Sequence, residues 1–100
     1  MIIVYITCAS SDEASKIGRE LVENKLAACI VTYPVRSMYW WKGKIEESAE
    51  HVLIAKSTEA LYDRLKKKVR SIHSYETPCI IRIDCRANDD YEKWVHSICG

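Results

Sequence analysis

Apolar residues follow two periods along this chain, and each period marks an element. Ile2 to Cys8 is a short apolar run rich in β-branched side chains, which predicts a buried strand. Ser10 follows, with Glu13 three residues on. That spacing is a capping box, in which the Ser hydroxyl accepts from the free amide at Glu13 while the Glu side chain reaches back. Ala14, Ile17, Gly18, Leu21 and Val22 then fall on one face of a 3.6-residue period, so a helix runs to about Asn24. Ala27 to Tyr33 reads as a second strand, which Pro34 ends or bends at a sheet edge. Val35 to Trp41 resumes the extended chain. Lys42-Gly43 makes a turn in which Gly43 takes positive φ cheaply, and Lys44 to Ile45 starts the return. His51 to Ser57 is the third main strand. Thr58 can cap a second helix with Leu61, Leu65, Val69 and Ile72 on its apolar face. Thr77-Pro78 closes that connection, and Cys79 to Arg86 is the fourth strand. Asn88 or Asp89 caps a short C-terminal helix whose apolar side is Tyr91, Trp94, Val95 and Ile98.

The element order is therefore β-α-β-β-α-β with one helix added. Right-handed crossovers put both long helices on one face of the sheet, which makes an α+β, ferredoxin-like fold in a single domain covering residues 1–100. The other face is left without a cover. Yet Ile2-Ile3-Val4 and Val52-Leu53-Ile54-Ala55 are apolar at consecutive positions, whereas an antiparallel sheet with one wet face should alternate. The pattern predicts that a partner chain buries the second face.

Composition narrows the function classes. With 15 basic and 14 acidic side chains the net charge is +1, too little to draw in nucleic acid or an anionic membrane. The one basic run, Arg64, Lys66, Lys67, Lys68 and Arg70, lies off the apolar face of its helix and reads as a solvated surface. No stretch nears the roughly 18 apolar residues of a membrane span, and Met1 to Thr7 is too short and lacks the basic start of a signal peptide. The expected location is the cytoplasm. The cysteines Cys8, Cys29, Cys79, Cys85 and Cys99 agree with it, being odd in number and without a C-x-x-C pair.

Three segments carry a resemblance. Ser37-Met38-Tyr39-Trp40-Trp41-Lys42-Gly43-Lys44-Ile45-Glu46 resembles the signature of the CutA family, the divalent-cation tolerance proteins. Leu26-Ala27-Ala28-Cys29 resembles the family's Leu-Ala-Ala-Cys strand start, and His73-Ser74-Tyr75-Glu76-Thr77-Pro78 its His-Pro-Tyr-Glu-x-Pro, with Ser74 where the family usually has Pro. The order and spacing match over nearly the whole chain, as far as Trp94. The resemblance implies a homotrimer with sheets packed together and hairpins exchanged, similar in architecture to the PII signalling proteins. It also implies a role in tolerance of copper or another divalent cation. No metal is expected to be required for folding.

The residues themselves allow two readings of the site. On a strand Tyr39 and Trp41 share a face and Trp40 looks the other way, so these rings either anchor packing at a subunit interface or stack on a ligand. His73, Tyr75 and Glu76 cluster past a helix, where they either take a divalent ion or form a hydrogen-bonded corner. With the family positions added, the expectation is an intersubunit cleft lined by Cys29, Tyr39, Trp41, Glu46, Lys56, His73, Tyr75 and Glu76. Within that set Cys29, His73 and Glu76 are the expected metal ligands, because thiolate suits Cu(I) and imidazole Cu(II). Glu46, Glu47 and Glu50 read as a solvated acidic edge.

Catalysis is not expected: there is no G-x-S-x-G, P-loop or H-E-x-x-H, and the loop after the first strand, Ala9-Ser10-Ser11-Asp12, has neither Arg nor Gly to cradle an anion. RNA-recognition motifs share this element order, but they stack bases on central-strand aromatics, and here only Tyr5 is offered. A PII-like sensor taking a small anionic ligand through Lys56 stays open beside the cation reading.

Overall fold

The structure, a computed structural model, describes residues 1–100. Its strands are β1 (Ile2–Cys8), β2 (Cys29–Trp41), β3 (Lys44–Ser57) and β4 (Ile80–Asp84). The helices are α1 (Ser11–Glu23), α2 (Tyr62–Ile72), led by a 3₁₀ turn at Glu59–Leu61, and α3 (Asp89–Cys99). The strands form one sheet in the order β2-β3-β1-β4, with every neighbouring pair antiparallel. Alternation along β1 sends Ile2, Val4, Ile6 and Cys8 to one face, where Leu53 and Ala55 of β3 meet Ala14, Ile17 and Leu21 of α1 and Leu61, Leu65 and Val69 of α2. Gly18 lets α1 come close to the sheet, since a Cβ there would lie 2.9 Å from Ile30 Cδ1. The Ser10 cap forms as its spacing predicts, with Glu13 N–H donating to Ser10 Oγ at 3.1 Å.

Four expectations change. Pro34 neither ends nor splits β2, which runs unbroken to Trp41. β2 is an edge strand, where a missing N–H is lost to solvent rather than to a ladder. β3 starts at Lys44 rather than His51, because the Lys42-Gly43 turn has positive φ at both residues (50° and 79°) and matches the strand twist, so pairing begins at Trp41↔Lys44. β4 is shorter than its apolar run, ending at Asp84 after pairing with β1. Thr58 stands at the N-terminus of the 3₁₀ turn but caps nothing; its Oγ1 is buried without a partner.

The second face of the sheet is open. By register it carries Ile3, Tyr5 and Thr7 of β1, Val31, Tyr33 and Val35 of β2, Val52, Ile54 and Glu50 of β3, and Ile81 and Ile83 of β4. Val31, Tyr33, Ile81 and Ile83 are exposed there. Beyond the helices the β2–β3 hairpin stands clear and gives the molecule its 45 Å long axis. Trp40 and Ile45, cross-strand partners near its tip, are 73% and 59% exposed.

Candidate functional site

Where the hairpin leaves the sheet, the segment after α2 crosses the open face and encloses a cleft of about 760 Å³. β1 contributes Thr7; β2 contributes Ser37, Met38, Tyr39, Trp40 and Trp41; β3 contributes Glu50; the crossing segment contributes Ser74, Tyr75, Glu76, Thr77 and Cys79. Aromatic rings form the walls and carboxylates are the only charged groups. No Lys, Arg or His lines the space.

Glu50 decides the character of the cleft. It faces Val35 across the β2–β3 ladder and is only 6% exposed. Tyr75 Oη donates to its Oε2 at 2.7 Å, and it forms no ion pair. A buried carboxylate ordinarily has a cation or several donors; Glu50 has one hydroxyl. The same contact acts on Tyr75, whose hydroxyl is held well above its usual acidity range, first by burial and then by the bond to Glu50.

The crossing segment is pinned by a second cluster outside the cleft. His73 Nδ1 accepts the Tyr75 N–H at 3.0 Å, so the ring proton sits on Nε2, which donates to the Thr7 carbonyl at 2.8 Å. The His73 and Tyr75 rings lie 4.9 Å apart. Glu13 Oε1 accepts the Ala9 N–H at 2.8 Å, and Oε2 accepts the Ser74 N–H at 2.9 Å. The capping box thus closes on Ala9 instead of Ser10 and extends to the loop, a bond that Pro at position 74 would lack. Burial alone would raise the Glu13 pKa, but the bonds from Ser74 and Ala9, with His73 nearby, outweigh it and hold the carboxyl below its usual value. Cys8, Glu13 and His73 bring one potential ligand atom each within 4.8 Å of one another. The donor chemistry is poor for a resident ion. Both His73 nitrogens and both Glu13 oxygens are engaged with backbone, and burial, with the Glu13 and Glu50 charges, pushes the Cys8 thiol up to about 12.

Of the residues expected from sequence, the cleft gathers Tyr39, Trp41, Tyr75 and Glu76. Glu46 pairs with Tyr39 across the hairpin, outside the lining, and His73 stands behind Tyr75. Cys29 and Lys56 face each other at the opposite end of the sheet, where the Lys56 ammonium lies 5.3 Å from the Tyr91 ring centre. Within one chain the length of the sheet separates Cys29 from the loop that carries His73 and Glu76, so a site that shares them needs two chains. Glu50, Thr7, Ser37 and Cys79 were not expected. For Glu50 the signal was present: Glu50, Val52 and Ile54 alternate onto one face once the strand is extended upstream of His51.

Comparison with known proteins agrees with this geometry. The family model for CutA1, the divalent ion tolerance protein, matches residues 2–98. The divalent-cation tolerance protein CutA of Pyrococcus horikoshii is 43% identical over 96 residues, covering 95% of this chain and 94% of its own. That of Archaeoglobus fulgidus is 39% identical over 93 residues, covering 92% and 91%. A solved structure of CutA1 from Pyrococcus horikoshii superposes with a TM-score of 0.95 at 40% identity, over 100% of this chain and 99% of that one. A structure from Archaeoglobus fulgidus, described as a periplasmic divalent cation tolerance protein, gives a TM-score of 0.97 at 36% identity, with both chains fully covered.

Proposed function

The chain belongs to the CutA1 divalent ion tolerance family, and from that premise we propose that it is a homotrimeric binding protein of the divalent-cation response, not an enzyme, that holds a positively charged ligand in the hairpin cleft. The observation that carries this reading is Glu50: a carboxylate buried in a cleft whose other charged group is Glu76 and which no basic side chain of the same chain lines. Such a site attracts cations and repels anions, so a cation fits it better than the anionic metabolite of a PII-like sensor. Copper or another divalent ion is the first guest to test. Thr7, Ser37, Tyr39 and Tyr75 add hydroxyl oxygens beside the two carboxylates, and Cys79 adds a soft donor.

Trimerisation is supported by the open sheet face. Val31 and Tyr33 on one edge strand and Ile81 and Ile83 on the other expose apolar side chains on the same face, beside an aromatic hairpin, and a surface of that kind calls for a protein partner. No helix is long and apolar enough to cross a membrane. The five cysteines are all unpaired, which supports a reducing compartment such as the cytoplasm.

The test is native mass spectrometry of the purified protein with one equivalent of Cu(II) per chain. We expect three chains per particle, with any copper retained in the cleft lost in the Glu50→Gln, Glu76→Gln double variant. A monomer would overturn the assembly. Copper held equally well by the double variant would remove metal from the cleft.

A further inference from the structure

We propose that the guest the cleft is shaped for is an organic ammonium ion, an alkylamine with N–H donors and an aliphatic body, rather than a bare metal ion. The inference rests on the reading of the cleft as a cation site.

Three observations carry it. The first is size: about 760 Å³ is a small-molecule volume, far larger than an ion bound at metal–ligand distances of roughly 2.0–2.6 Å. The second is donor geometry. A metal site needs three or more ligand atoms converging on one point, and the chain's one such group of His, Cys and acidic side chains is Cys8, Glu13 and His73, outside the cleft and already hydrogen-bonded to backbone. Glu50, Glu76 and Cys79 share the cleft without converging. The third is the wall. Tyr39, Trp41 and Tyr75 line the same space as a carboxylate, Glu50, that has one hydroxyl donor and no ion pair. Ring faces attract an alkylammonium through their quadrupole, whereas a strongly hydrated metal ion gains little there.

Glu50 sets the chemistry further. A carboxylate has about four lone-pair positions, and Tyr75 Oη uses one of them. The remaining capacity calls for N–H donors, which a primary ammonium supplies and a quaternary one does not. Glu76 adds a second negative charge on the same space, so a diamine matches the lining better than a monoamine.

The test titrates the native assembly with 1,4-diaminobutane and, in parallel, with its neutral isostere butane-1,4-diol. Binding is read from the indole N–H signals of Trp40 and Trp41, with Trp94 as the reference outside the cleft. We expect saturable shifts of Trp41 with the diamine, binding of the diol weaker by about tenfold or more, and a similar loss for the diamine in Glu50→Gln. Trp41→Leu, which keeps the charge and removes a ring, should also weaken the diamine. Unchanged Trp94 signals show that each variant is folded. Equal binding of diamine and diol, or no saturable shift up to about 10 mM diamine, a limit near −2.7 kcal/mol, overturns the proposal. Copper bound through Glu50 without diamine binding defeats the ammonium class and leaves the cation site standing. Binding of neither defeats both, and diamine without copper supports the proposal.

Discussion

Glu13 and Glu50 are two carboxylates tied to the same short loop, and they are treated in opposite ways. Glu13 takes a backbone N–H on each oxygen, from Ala9 and from Ser74, and so joins the start of α1 to the segment after α2. Glu50 is the more buried of the two and has a single hydroxyl donor, Tyr75, next to open space. A carboxylate whose oxygens are both satisfied is a structural tie. One that is largely buried, has a single hydroxyl donor and lines a cleft keeps acceptor capacity free for a ligand. The distinction separates the polar corner that holds the loop from the group that meets a ligand.

The sharpest way to break this comparison is to remove each carboxylate in turn and measure stability at neutral pH without ligand. Glu13→Ala loses two bonds to a charged acceptor and should cost about 3 kcal/mol, a fall in Tm of roughly 15 °C for a domain of this size. Glu50→Gln keeps an oxygen for Tyr75 and deletes an unpaired buried charge. It should be neutral or stabilising by up to about 1 kcal/mol. Equal losses in the two variants would mean that Glu50 is also a structural tie, and the reading of the cleft would lose its main support.

Acid provides a second, smaller separation. Hydrogen bonds from Ser74 and Ala9, with His73 nearby, overcome the opposing effect of burial and leave the Glu13 pKa below its usual 4.5. A carboxyl with a depressed folded-state pKa stabilises the fold at pH values above the unfolded value, and that stability is lost as pH falls through the folded one. Denaturant midpoints measured from pH 6 down to pH 3 should therefore drop below about pH 4.5 in the parent and drop less steeply in Glu13→Gln. Parallel curves for the two proteins would show that the tie contributes nothing through its charge.

Much of the fold was legible because periodicity and caps are local. The apolar face of α1, the Ser10 cap, the Lys42-Gly43 turn and the alternating strands follow from residues within a turn or two of each other. The open apolar face followed from consecutive apolar positions in β1 and β3. The cleft was only half legible. Tyr39, Trp41, Tyr75 and Glu76 are legible, but Glu50 reads as a solvated edge when β3 begins at His51, which hides its alternation with Val52 and Ile54. The corner was beyond reach for a different reason. His73 meets Thr7 across 66 residues and Ser74 meets Glu13 across 61, and contacts of that span are set by tertiary folding with no local pattern to announce them. Within one chain, register puts Cys29 and Lys56 together at the other end of the sheet, where only a second chain could bring them to a hairpin cleft.

The smallest expected effect isolates one half of the Glu13 tie. Ser74→Pro removes the N–H that donates to Glu13 Oε2 and leaves the Ala9 bond intact. The backbone before it is already suited to proline, since His73 has φ −77° and ψ 142°, within the extended region that a residue preceding proline prefers. Losing one bond to a charged acceptor costs about 1.5 kcal/mol, and stiffening the unfolded chain returns about 0.4–1 kcal/mol. The net should be a loss below about 1 kcal/mol, with an acid transition shallower than the parent's and steeper than that of Glu13→Gln. A loss as large as that of Glu13→Ala would place nearly the whole tie in the Ser74 bond. A gain in stability would mean that proline and serine at position 74 hold the same loop by different means, one through a restricted backbone and the other through a hydrogen bond to Glu13.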